Sequence, residues 1–302
     1  MNEPLLGAIE GGGTKFVCAV GHSPDRILEN LVLPTRDPES TLQSVRHFFS
    51  AAEAKHGSIR AFGMASFGPL DLRRNSPTFG RVMATPKPGW SGTDLIGALR
   101  GQFSVPVAIA HDVAAAALAE LTLGAGRDVK SVAYVTVGTG IGGGFAPTNC
   151  NGAQLLHPEL GHLRVQRDPR DTDFKGVCPF HADCLEGLAS GPAVVARWGA
   201  EMSRLEPAHP ARAIIGNYLG QLAASIALMV SPERVILGGG VMSSGHLLPH
   251  IHNTARELLN GYIGPLNENG ALERYICGAG LGNRAGLSGA MLLAAQAAGS
   301  SM

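Results

Sequence analysis

The chain repeats one local pattern in its two halves: an apolar strand, a glycine-rich turn and a returning strand. In the first half the segments LLGAIE and KFVCAV flank the turn GGGT, and in the second half SVAYVTV and GGFAP flank GTGIGGG. Short apolar runs that are bounded by glycines predict β-hairpins. Because both halves open in the same way, we expect an internal duplication that gives two similar domains.

Strands and helices alternate after each hairpin, a pattern that is typical of an α/β fold. The segment PESTLQSVRHFFSAAEAKHG begins with proline, ends with glycine and carries apolar residues at helical spacing, so it predicts a helix. IRAFGMASF and VPVAIA predict buried strands, and a helix in GTDLIGALRGQF separates them. We expect the domain boundary near residues 115–130 and the C-terminal helix in the first domain. The expected domains are therefore residues 1–118 with 285–302, and residues 119–284.

The composition argues against several classes of partner. The chain has 24 Lys and Arg residues against 24 Asp and Glu residues, so it lacks the net charge that attracts nucleic acid or an anionic membrane. No run of about 18 apolar residues predicts a membrane span, and MNEPLLGAIEGGG lacks the basic start and long apolar run of a signal peptide. Five cysteines in a chain without such a leader favour the reducing cytosol. We therefore expect a cytoplasmic protein with no nucleic-acid or membrane partner.

Three glycine turns are candidates for holding phosphate groups. EGGGTK, from Glu10 to Lys15, combines backbone N–H groups that no Cβ shields with a hydroxyl and an ammonium. It is not a Walker A loop, because a strand rather than a helix follows. GTGIGG formally fits the dinucleotide-binding fingerprint, but that motif also needs a helix after the glycines, and LGGGV is a third such turn. Each turn alone is explained as a plain tight turn, whereas three of them, two in matching hairpins, favour nucleotide binding.

The segment KGVCPFHADCLEG contains Cys178, His181 and Cys184 at even three-residue spacing. His162, in HPELGH, lies 16 residues before Cys178 and completes a set of two cysteines and two histidines. Such a set suits tetrahedral zinc, and four protein ligands would make the zinc structural, with no open position for a catalytic water. Two alternatives remain open here: two free buried cysteines with a surface histidine, or a disulfide between Cys178 and Cys184, which the cytosol disfavours.

Three carboxylates are candidates for chemistry. Asp112 follows the strand VAIAH at the start of a predicted helix, where it can act as an N-cap or as a catalytic group. Glu159 and Glu186 flank the candidate metal ligands, and each is otherwise explained as an ordinary surface charge.

Taken together, these motifs resemble the ROK family (repressors, open reading frames, kinases), specifically its bacterial fructokinase branch, over nearly the whole chain. GAIEGGGTKFVCAV and VTVGTGIGGG resemble the two phosphate loops of the family, SFGPLD and ATPKPGW its sugar-side loops, and VILGGGV its adenosine turn. HPELGH resembles the E-x-G-H signature, and CPFHADCLEGLASGPA resembles the zinc and sugar segment. Histidine at the middle position of that segment, where the family usually has cysteine, resembles the fructokinase branch.

The resemblance implies the actin-like, ribonuclease H-like α/β fold, with two domains around a cleft, a zinc-binding insertion in the second domain, and a homodimer. It implies transfer of the ATP γ-phosphoryl group to a hexose, D-fructose giving fructose 6-phosphate, with Mg²⁺ as cofactor, structural Zn²⁺ and Asp112 as general base. The residues that would bind the sugar are Gly68, Pro69, Glu159, His162 and Glu186. The residues that would bind ATP are Gly12, Gly13, Thr14, Lys15, Gly138, Thr139 and Gly140 at the phosphates and Gly239 and Gly240 at the adenosine. The zinc ligands would be His162, Cys178, His181 and Cys184.

Some residues depart from the family pattern. Ala114 and His111 flank Asp112 where the family commonly has asparagine, and Glu10 replaces the usual aspartate of the first loop. These changes leave alternatives open: a kinase for glucose, mannose or an N-acetylhexosamine (mannosamine or glucosamine), or a sugar-binding protein without catalysis. The family also includes repressors with an N-terminal DNA-binding domain, but we expect none here because the first phosphate loop begins within a dozen residues of Met1.

Overall fold

The computed structural model describes residues 3–147, 157–244 and 246–299. Its strands are β1 (Leu5–Gly11), β2 (Lys15–Ser23), β3 (Arg26–Pro34), β4 (Ile59–Ser66), β5 (Val107–His111), β6 (Val132–Val137), β7 (Ile141–Ala146), β8 (Arg234–Gly238) and β9 (Ile276–Gly278). Its α-helices are α1 (Pro38–His56), α2 (Leu95–Arg100), α3 (Asp112–Leu123), α4 (Leu185–Ala189), α5 (Gly191–Trp198), α6 (Ala211–Met229), α7 (Leu248–Leu259), α8 (Ala271–Tyr275) and α9 (Ala285–Ala297).

The described residues form two compact units, each with its own sheet. The first unit contains the residues up to 119, His157 and the residues from 284 onwards; the second contains residues 120–147 and 158–283. Over the described residues, this mixed α/β architecture with two sheets and no barrel agrees with the predicted fold class.

The first sheet has the strand order β3-β2-β1-β4-β5. β1 is antiparallel to β2 and parallel to β4, and β4 is parallel to β5. The last residues of the three parallel strands are in register, since Gly11 pairs with Ser66 and Ser66 pairs with His111. The chain segments that follow these strands therefore emerge at one edge of the sheet, which is where α/β sheets commonly bind ligands.

The second sheet has the strand order β7-β6-β8-β9 and repeats this arrangement. β6 is antiparallel to β7 and parallel to β8, and Thr136 pairs with Gly238 near the ends of the parallel strands. The turns after β6 and after β8 therefore lie at one edge of this sheet. Both sheets thus begin with a hairpin, as the repeated sequence pattern predicts. In each sheet two parallel strands follow the hairpin, and the first sheet adds β3.

The two faces of the first sheet pack against different kinds of side chain. Because side chains alternate along a strand, Ile9 faces a core of large apolar residues that includes Phe49 of α1, whereas Ala8 faces a core of small residues that includes Ala290 of α9. A Cβ added at Gly63 of β4 would lie 1.9 Å from the carbonyl oxygen of Ala290. Glycine therefore allows α9 to approach the sheet closely.

Local signals set the bounds of α1 as the sequence predicts. The Asp37 side chain caps its start by accepting a hydrogen bond from the Ser40 N–H (2.9 Å), and Gly57 ends it with φ of 98°. Among the helices of the described residues, none is long and apolar enough to cross a lipid bilayer.

Candidate functional site

The first glycine turn connects β1 to β2 at the edge of the first sheet where β1, β4 and β5 end. The Gly12 N–H donates to the Lys15 carbonyl (2.9 Å), and the Thr35 hydroxyl donates to the Gly12 carbonyl (2.7 Å). A Cβ added at Gly13 would meet no atom within 4 Å, and Thr14 and Lys15 are exposed. The turn is thus held by its own backbone and by Thr35, while its tip stays open to a ligand, and this openness suits the predicted phosphate contact.

Two carboxylates, Glu10 and Asp112, lie near each other in the first unit. Burial, and then the nearby Asp112 carboxylate, raise the pKa of Glu10, while Lys15 and the N–H of Leu287 oppose the increase. A Cβ added at Gly286 would lie 2.3 Å from Glu10 Oε1, so the start of α9 also packs on this side chain. Carboxylate oxygens are the ligands that Mg²⁺ prefers, commonly with bound waters, and a divalent cation would relieve the repulsion between the two acids. These residues therefore fit the predicted Mg²⁺.

Replacing Glu10 with Gln should stabilise the protein while reducing its activity. The amide removes a partly buried carboxylate that lies near Asp112 but keeps an oxygen that can accept from the N–H of Leu287. We expect the unfolding temperature at pH 7.5 to rise by about 1–3 °C and kcat to fall at least about 10-fold because a ligand for the cation is weakened. The stabilisation should shrink as the pH falls through the raised pKa of Glu10, because the wild-type carboxyl then becomes neutral too.

Glu53 provides the matched control for this prediction. Its carboxylate also accepts a backbone hydrogen bond, from the N–H of Ile59 (2.8 Å), but it lies outside the predicted site. Glu53→Gln should not raise the unfolding temperature, and it should not alter kcat. A lower unfolding temperature for Glu10→Gln than for wild type would contradict the electrostatic account of Glu10.

Asp112 is the first residue of α3, directly after β5. Its Oδ1 accepts a hydrogen bond from the N–H of Val113 (2.9 Å), and the side chain is half-buried. The partial positive charge of a helix N-terminus favours an ionised carboxylate. The structure therefore gives Asp112 a helix-starting position, and this position also presents the carboxylate at the edge of the sheet where the first glycine turn emerges.

His111 and His157 form a stacked pair beside Asp112 in the first unit. Their ring centroids lie 3.9 Å apart with an interplanar angle of 24°, and His111 is buried. Burial, with a smaller contribution from His157, lowers the pKa of His111 to about 3, so this imidazole is neutral near pH 7. A Cβ at Gly68 would lie 2.6 Å from His111 Cε1, so glycine is needed before Pro69 for this loop to pack on the ring.

The second glycine turn lies between β6 and β7 in the second unit. The Gly138 carbonyl accepts from the N–H of Gly191 (2.7 Å), at the start of α5, and a Cβ at Gly138 would meet no atom within 4 Å. The strand that follows Gly140 confirms that GTGIGG is not a dinucleotide-binding fingerprint. Gly239, after β8, has φ of 92°, and a Cβ there would lie 2.5 Å from the Val137 carbonyl oxygen, so only glycine fits. Thr139 lies in the exposed turn, and Gly240 is open on its Cβ side.

Ile141, the first residue of β7, connects the predicted sugar-binding residues of the second unit. Its N–H donates to Glu186 Oε2 (2.8 Å), and a Cβ added at Gly161 would lie 2.1 Å from its carbonyl oxygen. Glu159 is exposed at the start of the short 3₁₀ helix that ends at His162. Glu186 is therefore not an ordinary surface charge: it is half-buried with one oxygen bonded to the backbone.

His162, Cys178, His181 and Cys184 form one cluster in the second unit, with their ligand atoms within 4.8 Å of one another. The distances from His162 Nδ1 to the sulfurs of Cys178 and Cys184 are 3.9 Å and 3.6 Å, and His181 Nδ1 lies 3.7 Å from the Cys178 sulfur. In a tetrahedral zinc site with ordinary bond lengths, nitrogen and sulfur ligands lie about 3.6 Å apart. The four residues therefore fit a closed zinc site, as the sequence spacing predicts.

The disulfide alternative is wrong, because Cys178 and Cys184 are both free and buried. The cluster leaves His162 Nε2 as the ring nitrogen for a second partner, since Nδ1 faces the sulfurs. A metal at this position would fix the tautomer and the orientation of that ring.

The sequence interpretation missed two features of these units. His157 begins the segment HPELGH, and nothing in its spacing indicates that it stacks on His111. Glu120, fully buried in the second unit, accepts from the N–H groups of Ala125 (2.8 Å), Gly280 (3.1 Å) and Leu281 (2.9 Å). A glutamate inside an apolar helix was the available signal, because such a group is seldom buried without partners.

Comparisons with known proteins give one consistent result. A family model described as "ROK family" matches residues 6–297. The fructokinase of Zymomonas mobilis is 42% identical over 97% of this chain and 97% of its own, and that of Pediococcus pentosaceus is 40% identical over 96% and 97%. Among solved structures, a ROK family glucokinase from Streptomyces griseus in complex with glucose and AMPPNP is similar, with a TM-score of 0.75 and 26% identity over 97% of this chain and 99% of that chain.

Proposed function

The chain belongs to the ROK family, and from that membership we propose that it transfers the γ-phosphoryl group of ATP to D-fructose, giving fructose 6-phosphate. One observation carries this proposal: proteins named fructokinase are 40–42% identical to the chain over almost their whole length. The glucokinase that holds glucose and AMPPNP supports the general reaction, a hexose and an ATP analogue on the same fold.

Asp112 is the proposed general base. The sugar hydroxyl is a poor nucleophile until its proton has an acceptor, and a carboxylate in place can accept that proton as the oxygen attacks phosphorus. The position at the start of α3 and the hydrogen bond from the Val113 N–H support this role, because the hydrogen bond fixes the direction of the carboxylate.

The glycine turns are the proposed ATP-binding elements. In the first unit, the open tip at Gly13 with the hydroxyl of Thr14 and the ammonium of Lys15 offers donors and charge to phosphate oxygens. Mg²⁺ would be held near Glu10 and would neutralise phosphate charge when bound. The full proposed set is Gly12, Gly13, Thr14, Lys15, Gly138, Thr139 and Gly140 for the phosphates, and Gly239 and Gly240 for the adenosine.

The residues that we propose for sugar binding come from both units. Gly68 and Pro69 would line the sugar in the first unit, where the loop packs on the neutral His111 ring. In the second unit, Glu159, His162 and Glu186 would accept or donate hydrogen bonds to sugar hydroxyls. The backbone link of Glu186 to Ile141 supports this, because a carboxylate that is already oriented binds a hydroxyl at a smaller cost in entropy.

We assign the cysteine and histidine cluster a structural zinc ion. The distances between the nitrogen and sulfur atoms support this assignment. The ion would hold His162 close to the start of α4, and Glu186 is the second residue of that helix. We further propose a cytoplasmic homodimer: the dimer follows from the resemblance, and the reducing compartment from the free state of Cys18, Cys178, Cys184 and Cys277.

A coupled assay of ADP release against a panel of hexoses tests the proposed function. We expect kcat/KM for D-fructose to exceed the values for glucose, mannose, N-acetylmannosamine and N-acetylglucosamine at least about 10-fold, because hydroxyl-specific contacts discriminate strongly between substrates. A higher kcat/KM for another hexose would identify that hexose, rather than D-fructose, as the substrate. Binding of a hexose without ADP release would indicate a sugar-binding protein that does not catalyse transfer.

A further inference from the structure

Lys87 reaches the first glycine turn from a different part of the first unit. It lies in the segment ATPKPGW, and its ammonium donates a hydrogen bond to the carbonyl oxygen of Gly13. The same ammonium lies 5.8 Å from the centroid of the Phe67 ring, and Phe67 directly precedes the Gly68–Pro69 loop. The charge is therefore located between the predicted phosphate turn and the predicted sugar loop.

The loop that carries Lys87 is firmly anchored. Trp90 is fully buried, its Nε1 donates to the Arg36 carbonyl (2.9 Å), and its ring stacks on Phe16 of β2 with centroids 5.5 Å apart. The rings of Trp90 and Phe67 form an edge-to-face pair with their centroids 5.2 Å apart. Because Phe16 follows the turn and Phe67 precedes the sugar loop, the same aromatic contacts fix the loop of Lys87 relative to both.

The Lys87 ammonium carries a full positive charge, but its hydrogen-bond partner, the Gly13 carbonyl oxygen, is neutral. The Gly12 carbonyl accepts from Thr35, and the Thr14 carbonyl accepts from the Thr35 N–H (2.9 Å), so the turn is braced on both sides of Gly13. A neutral carbonyl binds an ammonium less strongly than a phosphate oxygen does, since hydrogen bonds between two charged groups are shorter and stronger. A phosphoryl group at the open tip of the turn would therefore compete successfully for Lys87.

We propose that Lys87 is a further catalytic residue, whose ammonium leaves the Gly13 carbonyl for an oxygen of the transferred phosphoryl group. The proposal rests on the proposed function. In the step, a bond forms between the sugar oxygen and the γ-phosphorus, and the hydroxyl proton passes to Asp112. The bond from that phosphorus to the bridging oxygen breaks, and its electron pair stays with ADP. Lys87 neutralises charge on the phosphoryl oxygens throughout and forms no covalent bond.

Three substitutions separate this role from a bracing role in the turn. Lys87→Met keeps most of the side-chain length without a donor. Lys87→Gln keeps an N–H that can donate to the Gly13 carbonyl but carries no charge, and Lys87→Arg keeps the charge. If Lys87 only braces the turn, the glutamine variant should behave like wild type. If its charge acts in transfer, glutamine should fail as methionine does, and arginine should restore much of the activity.

We expect Lys87→Met and Lys87→Gln to lower kcat with fructose by about 100-fold. The affinity of both variants for fructose should stay within about 3-fold of wild type. The kcat of Lys87→Arg should exceed that of both neutral variants. Calorimetry without sugar gives a second readout: both neutral variants should bind ATP about 10-fold more weakly and bind ADP as wild type does, because ADP lacks the γ-phosphoryl group. Lys55→Met, which removes a surface lysine paired with Glu29, is the control and should change neither quantity.

Wild-type kcat and unchanged ATP affinity in Lys87→Gln would overturn the proposal. Equal losses of ATP and ADP affinity would also overturn it, because they would indicate a damaged turn. If Lys87→Met does not fold, the kcat and ATP affinity of the glutamine and arginine variants decide whether the charge of Lys87 acts in phosphoryl transfer. Absence of hexose phosphorylation by the wild-type protein would contradict the proposed function, and the difference between ATP and ADP affinities would still test Lys87 separately.

Discussion

Asp112→Asn should lower kcat for fructose phosphorylation by about 10²- to 10⁴-fold, the range that a general base contributes. The amide cannot accept the hydroxyl proton at neutral pH, yet its oxygen can still accept the hydrogen bond that the Val113 N–H donates at the start of α3. The affinity for fructose, measured by calorimetry, should stay within about 3-fold of wild type because the loss falls on the transition state. The unfolding temperature should not change by more than about 2 °C.

Asp94 offers the matched control for Asp112. It caps α2, where its side chain accepts from the Gly97 N–H (2.7 Å), so Asp94→Asn makes the same chemical change at another helix start of the first unit. That variant should retain wild-type kcat. Turnover by Asp112→Asn within about 10-fold of wild type would show that a group other than Asp112 accepts the proton.

Removal of the proposed zinc ion should strongly lower both the stability and the activity of the protein. We expect the purified protein to hold about one zinc ion per chain, as four converging ligands suggest, and Cys178→Ser to reduce this to less than half an equivalent. The unfolding temperature should fall by about 10 °C, because the free energy of binding a structural metal contributes to folding. Activity should fall with it, because His162 and the start of α4 lose their common anchor.

Cys277→Ser is the control for the metal prediction. Cys277 is a half-buried free cysteine in β9, outside the cluster, so its substitution should leave the zinc content unchanged. Wild-type protein that contains less than half an equivalent of zinc after purification without chelators would contradict the assignment. An unchanged unfolding temperature after zinc is removed would contradict a structural role for the ion.

The sequence predicted those parts of the fold that depend on neighbouring residues. The two hairpins follow from short apolar runs around glycines, and the bounds of α1 follow from Asp37 before it and Gly57 after it. The cluster of two cysteines and two histidines could also be predicted, because Cys178, His181 and Cys184 are close in the sequence and only His162 had to be added. These features have local causes, so a single sequence contains most of their determinants.

The features that could not be predicted depend on residues far apart in the chain. His111 stacks on a histidine 46 positions later, and Glu186 bonds to the N–H of Ile141, 45 residues before it. Lys87 reaches a carbonyl 74 residues away, although its own segment indicated only a sugar-side loop. Such contacts arise when loops and helices that are distant in the sequence pack against the strands, and local sequence patterns do not specify which side chains meet there.

His111, one of the departures from the family pattern, is compatible with a general base at Asp112. His111 replaces a residue that is commonly asparagine, and burial keeps its ring neutral, so it adds no positive charge beside the base. A positively charged neighbour makes a carboxylate a weaker proton acceptor. The neutral ring instead fills the space beneath the Gly68–Pro69 loop.

The central claim is tested most directly by identifying the product. The purified wild-type protein is incubated with ATP, Mg²⁺ and D-fructose labelled with ¹³C, and the phosphorylated sugar is assigned by NMR. The account predicts ADP and fructose 6-phosphate in equal amounts, with the phosphorus coupled to carbon 6. Fructose 1-phosphate as the product, or unchanged fructose alongside intact ATP, would contradict it.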